Sequence, residues 1–210
     1  MRKIAILLIG LMMIGVGFLS GCTENSENLP ENNGIFVDSD SMSHVEFSQT
    51  GIIDKGDIVY YSKISNKSEI ITWTLGRSIK YTKYGYYGDV ILFNSMNDSS
   101  NQIVDRAMCW IEVEIEGLNT YYTIEKYGII RQNASEPLYI PFCGIWNSIS
   151  NSSVILDGNT NKRYHYQKFT HSGFITKADN KPTCDQLSGV CIEPVKFECI
   201  VGKITELQDR

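Results

Sequence analysis

Residue types able to act in acyl transfer gather in three short blocks. The first is Ser39-Asp40-Ser41-Met42, followed by Gly51-Ile52-Ile53-Asp54-Lys55-Gly56-Asp57-Ile58-Val59. The second is Gly88-Asp89-Val90-Ile91. The third runs from Gly173 through Lys177-Ala178-Asp179-Asn180 to Cys184-Asp185-Gln186 and closes at Ile200-Val201-Gly202-Lys203. A serine hydroxyl is a poor nucleophile and needs a base within hydrogen-bond reach. Imidazole is the usual one, and the chain has only His44, His165 and His171. His44 follows Ser41 by three residues and reads as a loop residue; His165 falls in a variable stretch. Lys177, next but one to Asp179, reads as a solvated side chain at a strand end.

The elements that would position these residues have the periodicity of strands. Ile111-Glu112-Val113-Glu114-Ile115-Glu116 alternates strictly, as a strand with one buried face does. Gly117-Leu118-Asn119 then turns the chain into Tyr121-Tyr122-Thr123-Ile124, which predicts a β-hairpin. Asp57 to Ser62, Asp89 to Phe93, Gly173 to Thr176 and Phe197 to Ile204 are further short β-rich runs. No long window carries a helical stripe. The expected fold is mainly β, antiparallel, with at most short helices. Gly128 to Gln167, rich in Asn and Ser and holding Pro137 and Pro141, reads as an insertion or small subdomain.

Of the 210 residues, 42% are hydrophobic, enough for a packed core, so global disorder is excluded. The net charge of −5 argues against a nucleic-acid partner. Arg2-Lys3, the apolar run Ile4 to Phe18 and Leu19-Ser20-Gly21-Cys22 resemble a lipoprotein signal with its lipobox. Residues 1–21 then form the signal peptide, Cys22 is lipidated, and 22–34 make a flexible tether to a domain over 35–210. The alternative is a retained transmembrane anchor, for which the run falls short of the ~20 apolar residues usual for a span. Either way the domain sits outside the cytoplasm, tethered to the membrane. Export makes disulfides natural for the five cysteines beyond Cys22, none of which forms a C-x-x-C metal motif. Cys184 and Cys191 are the favoured pair, with Pro182 and Gly189 bending the chain nearby; the alternative is that all five are buried and reduced. Four N-x-[ST] sequons, at Asn66, Asn97, Asn133 and Asn151, mark candidate glycosylation sites.

The order of the three blocks resembles type I signal peptidases of the archaeal and endoplasmic-reticulum kind. In that family a Ser-Met pair precedes two Gly-Asp strand starts, a His-Arg pair, a Gly-Asp-Asn motif with a further Asp, and a closing V-x-G-K. The resemblance covers Val37 to Lys203 outside 128–167. It implies that Ser41 is the nucleophile, that Asp179 is the Asp of Gly-Asp-Asn and that Asp185 is the further acid. It also implies a partly open β-barrel on the outer membrane surface that cleaves signal peptides after small residues, with no metal or cofactor.

The chain departs from the pattern where His-Arg is expected, reading Val104-Asp105-Arg106-Ala107. Asp105 stands at the base position. An unperturbed carboxyl has a pKa of about 3.9 against about 6.5 for imidazole, so it is a weak acceptor for a serine proton. Nearby Asp179, expected to orient a base at position 105, and Asp185 would raise its pKa. Ala178 replaces a glycine and would be strained if the turn required positive φ. The reading is therefore a catalytically impaired signal peptidase I-like lipoprotein binding extended peptide segments by β-strand addition. The alternatives are an active serine endopeptidase with a rearranged base, and a surface lipoprotein that keeps the fold for an unrelated binding role.

Overall fold

A computed structural model describes residues 34–43, 51–95, 101–146 and 168–208, all within one unit spanning Asn32–Arg210. Cys22, Asn97, Asn151, His44 and His165 lie outside the described residues.

The fold is mainly β, with open antiparallel sheets and few helices. In chain order the elements are β1 (Gly34–Phe36), β2 (Ile58–Ser62), α1 (Trp73–Ile79), β3 (Thr82–Lys83), β4 (Tyr86–Tyr87) and β5 (Val90–Asn94). They continue with β6 (Gln102–Glu116), β7 (Asn119–Ile124), β8 (Ile129–Asn133), β9 (Leu138–Ile140), β10 (Gly144–Trp146), β11 (Gly173–Lys177), α2 (Asp185–Ser188) and β12 (Ile200–Gln208). The main sheet runs β1-β2-β12-β5-β6-β7-β8, and β11 also pairs with β6. β1 already starts at Gly34, which pairs with Tyr60, so the sheet claims the last residue assigned to the tether.

β5 is a continuous apolar run because both its faces are covered. Val90 and Leu92 enter a core with Val37, Met42, Val59 and Ile204. Ile91 and Phe93 enter another with Ala107, Phe174 and Val195. Both Gly-Asp pairs stand at strand starts, where the aspartate closes a turn. Asp57 accepts a hydrogen bond from the Asp54 backbone N–H at 2.7 Å. Asp89, fully buried, accepts from the Ile71 N–H and the Tyr81 hydroxyl, each at 2.8 Å. Gly88 has φ +80°, and a Cβ there would meet the Trp73 nitrogen at 2.5 Å, so glycine is required for α1 to pack this close.

The 111–124 hairpin forms, but its apolar face fades: Ile111 is buried, whereas Ile115 is 56% and Leu118 95% exposed. The strand simply runs past the core. At the other end, Phe197–Cys199 forms a 3-10 turn, so β12 begins at Ile200. The described part of 128–167 shares the domain's core: Leu138, Ile140 and Cys143 pack with Met108, Ile111 and Tyr122. The expected Cys184–Cys191 bridge is not formed. Cys184 is bonded to Cys143, while Cys191 is a buried free thiol. The cause is local: α2 lies between Cys184 and Cys191, whereas the Cys184 N–H already donates to the Cys143 carbonyl at 3.3 Å. Of the described sequons, Asn66 is exposed and caps a 3-10 turn, and Asn133 is half-buried in β8 with its side chain accepting from Ser135.

Candidate functional site

Strand alternation decides what Asp105 and Arg106 do. Neighbours on β6, they project to opposite faces and meet different acids. Arg106 is only 1% exposed and is the largest fully buried side chain. Its Nε and Nη2 donate to Asp179 Oδ1 and Oδ2 at 2.8 and 2.6 Å, a bidentate pair. Its Nη1 donates to the carbonyls of Lys83 at 3.0 Å and Gly88 at 2.8 Å, so it also pins the β3–β4 turn.

Asp105 hydrogen-bonds with Asp185 instead. Asp105 and Asp185 are 2% and 1% exposed. Asp179 was expected to orient position 105; that place is taken by Asp185, because Arg106 holds Asp179. Burial first, then the neighbouring Asp185 charge, raises the Asp105 pKa well above the ordinary carboxyl range. Burial raises Asp185 as well, but hydrogen bonds from Thr176 and from the Ala178 backbone favour its charged form. Burial thus disfavours charge on both carboxyls of the pair, most strongly on Asp105. Asp105 Oδ1 and Asp185 Oδ2 are buried without a hydrogen-bond partner.

Lys177 is not the solvated side chain expected. It is half-buried, donates to the Ala178 carbonyl at 3.1 Å, and burial lowers its pKa against the pull of Asp179, Asp185 and Asp105. Ala178 itself is outside the left-handed region, so its replacement of glycine costs no backbone strain.

Ser41 sits half-buried in the turn after β1. Met42, 1% exposed, plugs the core and anchors it. The Ser41 carbonyl accepts from the Asn180 N–H at 3.2 Å, and the Asn180 side chain donates to the Asp40 carbonyl. Residues 178–180 thus tie together Ser41 through Asn180, Asp185 through Ala178, and Arg106 through Asp179. The Ser41 hydroxyl is hydrogen-bonded to Ser39 Oγ at 3.1 Å. No imidazole takes that place among the described residues: His171 Nδ1 is engaged with the Ser172 carbonyl at 3.0 Å.

Beside this cluster opens a cleft of about 670 Å³. It is lined by Arg106, Lys177 and Asp179, by the rings of Trp73, Tyr87 and Phe142, and by the exposed Arg77 and Lys181. The aromatic members escaped sequence reading because they come from segments far apart in the chain. The available signal was local: Thr72 caps α1, its hydroxyl accepting from the Leu75 N–H at 3.4 Å, which puts Trp73 and Arg77 on one short helix.

No family model matches the chain, and no curated protein matches it.

The raised Asp105 pKa has a measurable consequence. On unfolding, Asp105 returns to a pKa near 3.8 and releases its proton. Above that pH the native state binds more protons than the unfolded one, so stability falls as pH rises toward the native pKa. One proton corresponds to about 1.4 kcal/mol per pH unit. Asp105→Asn keeps a donor to Asp185 without needing the proton. Its stability relative to the natural protein should therefore climb in denaturant titrations as pH rises above the ordinary carboxyl pKa. A difference that stays flat with pH would show that no proton is held there. The charged groups around the pair are Lys177 and Asp179; Cys191, pushed up to about 12 chiefly by burial, stays neutral over this range.

Proposed function

We propose that this protein is a signal peptidase I-like, lipid-anchored protein on the extracytoplasmic face of the membrane. It binds extended peptide segments and is impaired as a peptidase. The observation that carries this reading is the Asp105–Asp185 pair. At the two positions that the resemblance gives to the base and the further acid stand two buried carboxyls engaged with each other, both with pKa values raised by burial. A sealed carboxyl already engaged with another acid is poorly placed to take a proton from Ser41, whose hydroxyl is turned to Ser39. The placement of both Gly-Asp pairs at strand starts, and of Lys203 against Asp89 at 3.5 Å, supports the resemblance. Peptide capture would use strand addition at a sheet edge, with side chains entering the adjacent cleft.

The expected result is no Ser41-dependent cleavage of a signal-peptide substrate: the natural protein and Ser41→Ala should be indistinguishable by mass spectrometry of the products. Robust cleavage lost on Ser41→Ala would overturn the impaired reading. The alternative, an active serine endopeptidase with a rearranged base, has one observation in its favour: burial lowers the Lys177 pKa beside the acid cluster. If that alternative holds, Lys177→Met abolishes the cleavage.

Anchoring is tested separately. Cys22→Ser should accumulate as an unprocessed precursor, whereas the natural protein should partition into detergent in processed form. Normal processing of the variant would remove the lipid anchor from the reading.

A further inference from the structure

We infer that the cleft beside the acid cluster binds a carboxylate carried next to an aromatic or bulky apolar side chain, as at the C-terminus of a peptide or in a small aromatic acid. The inference deepens the peptide-binding reading and rests on it only for the source of that carboxylate.

Charge is the first argument. The chain has net charge −5, yet the cleft is lined by Arg77, Arg106, Lys177 and Lys181 against the single acid Asp179. Asp179 is held bidentately by Arg106. Lys177 is drawn to Asp179 and then to Asp185. Arg77 and Lys181 are left over: both are exposed, and among the described residues no carboxylate pairs with either. A planar guanidinium and an ammonium lining one cleft are what a carboxylate needs, the first offering a two-donor fork and the second a point charge.

Placement of the aromatic rings is the second. Trp73 and Phe142 approach to 4.6 Å between centroids with an interplanar angle of 51°, and Tyr87 meets Trp73 edge-on at 6.1 Å. The Arg77 guanidinium lies 5.4 Å from the Trp73 ring and 5.6 Å from that of Phe142. Stacking of this kind fixes a long side chain that would otherwise be freely mobile, so the cation is oriented before a ligand arrives. A ring or large apolar group of the ligand would lie against the same aromatic wall, adjacent to the anion it carries.

The third argument is that the cleft is built rather than incidental. Phe142 is 55% exposed and holds φ +64°, a conformation an aromatic residue rarely adopts. Exposing a large apolar ring at a backbone cost does nothing for the core; such strain persists where surrounding structure enforces it. Here the enforcement is covalent: the next residue, Cys143, is bonded to Cys184, two positions beyond Pro182, which also lines the cleft. The disulfide therefore ties together two segments that line the cleft. A volume of about 670 Å³ is in the range of a ligand pocket rather than a packing defect.

The test is calorimetric titration of the full chain in detergent with three probes: acetyl-Ala-Ala-Phe as free acid, the same peptide as C-terminal amide, and acetyl-phenylalanine. The free-acid peptide should bind at least about tenfold more tightly than the amide, the discrimination expected for charge-assisted hydrogen bonds. Arg77→Gln or Lys181→Gln should shrink that ratio, whereas Lys63→Gln, an equal charge loss elsewhere on the surface, should leave it unchanged. Acetyl-phenylalanine binding as tightly as the peptide would support a small aromatic acid as the source; weaker binding would support a chain end. Equal affinity for acid and amide overturns the inference and leaves the extended-peptide reading standing. Binding of none of the probes overturns both.

Discussion

Replacing Arg106 by methionine is expected to lower the stability of the domain by about 3–5 kcal/mol, the usual cost of removing one partner from a buried ion pair. The side chain is 1% exposed and its partner carboxylate on Asp179 only 5%, so neither charge is compensated by water. Methionine retains much of the stem's packing but leaves Asp179 charged in a low-dielectric site. It also strips donors from the Lys83 and Gly88 carbonyls, which close the turn before β5. Against a total of roughly 5–15 kcal/mol for a domain, that loss is a large fraction. The size of the effect belongs to the orphaned charge rather than to the lost contact. The double variant Arg106→Met, Asp179→Leu should therefore recover at least half of it in denaturant titrations at neutral pH. If the double variant is as unstable as the single one, the carbonyl contacts and not the ion pair hold this region.

Arg106 also shows where sequence reading stops. The 111–124 hairpin was legible because one of its faces is wet at its outer end and hydrophobicity alternates along it. The first half of β6 was not. From Asp105 to Cys109 both faces are buried, and two of the inward residues are charged, so no period of two survives. The β-runs at Ile58, Val90 and Gly173 were legible because glycine or aspartate punctuates their starts. The seven residues of α1 offered little beyond the Thr72 cap, too few turns to show a stripe. In the site, the resemblance named Ser41, Asp105, Asp179 and Asp185; Ser41 and Asp185 are tied to the loop that carries Asp179, and Asp105 meets Asp185. Which acid faces which base could not be read from spacing: it depends on the opposite orientation of two adjacent β6 residues, fixed only once that strand is recognised. Cys143 and Cys184, 41 residues apart, were hidden for the same reason, since their proximity is set by tertiary packing alone.

Asp105→His is expected to create Ser41-dependent cleavage of a signal-peptide substrate, and Asp185 rather than Asp179 should be required for it. Histidine accepts the serine proton and returns it to the leaving amine because its pKa lies near the working pH. At position 105 its ring would meet Asp185 as the present carboxyl does, so one ring nitrogen can donate to that carboxylate while the other serves as base. This is the arrangement of a serine triad, in which the acid fixes tautomer and orientation. Acid–base catalysis contributes about 10²–10⁴ in rate, and a rise on the order of 10² over the natural protein is the expected outcome of an unoptimised site. The gain should appear as pH rises through the histidine's pKa and vanish with Ser41→Ala. Adding Asp185→Asn should remove most of it, since the ring then loses the partner that sets its tautomer. An imidazole is larger than a carboxyl and the site is sealed, so overpacking should cost about 1–3 kcal/mol of stability even as activity appears. Loss of stability with opposite gain of function separates a rebuilt base from a merely loosened fold. A variant that folds, keeps Ser41 and Asp185, and still cleaves nothing would show that the 105–185 pair does not stand within reach of the serine.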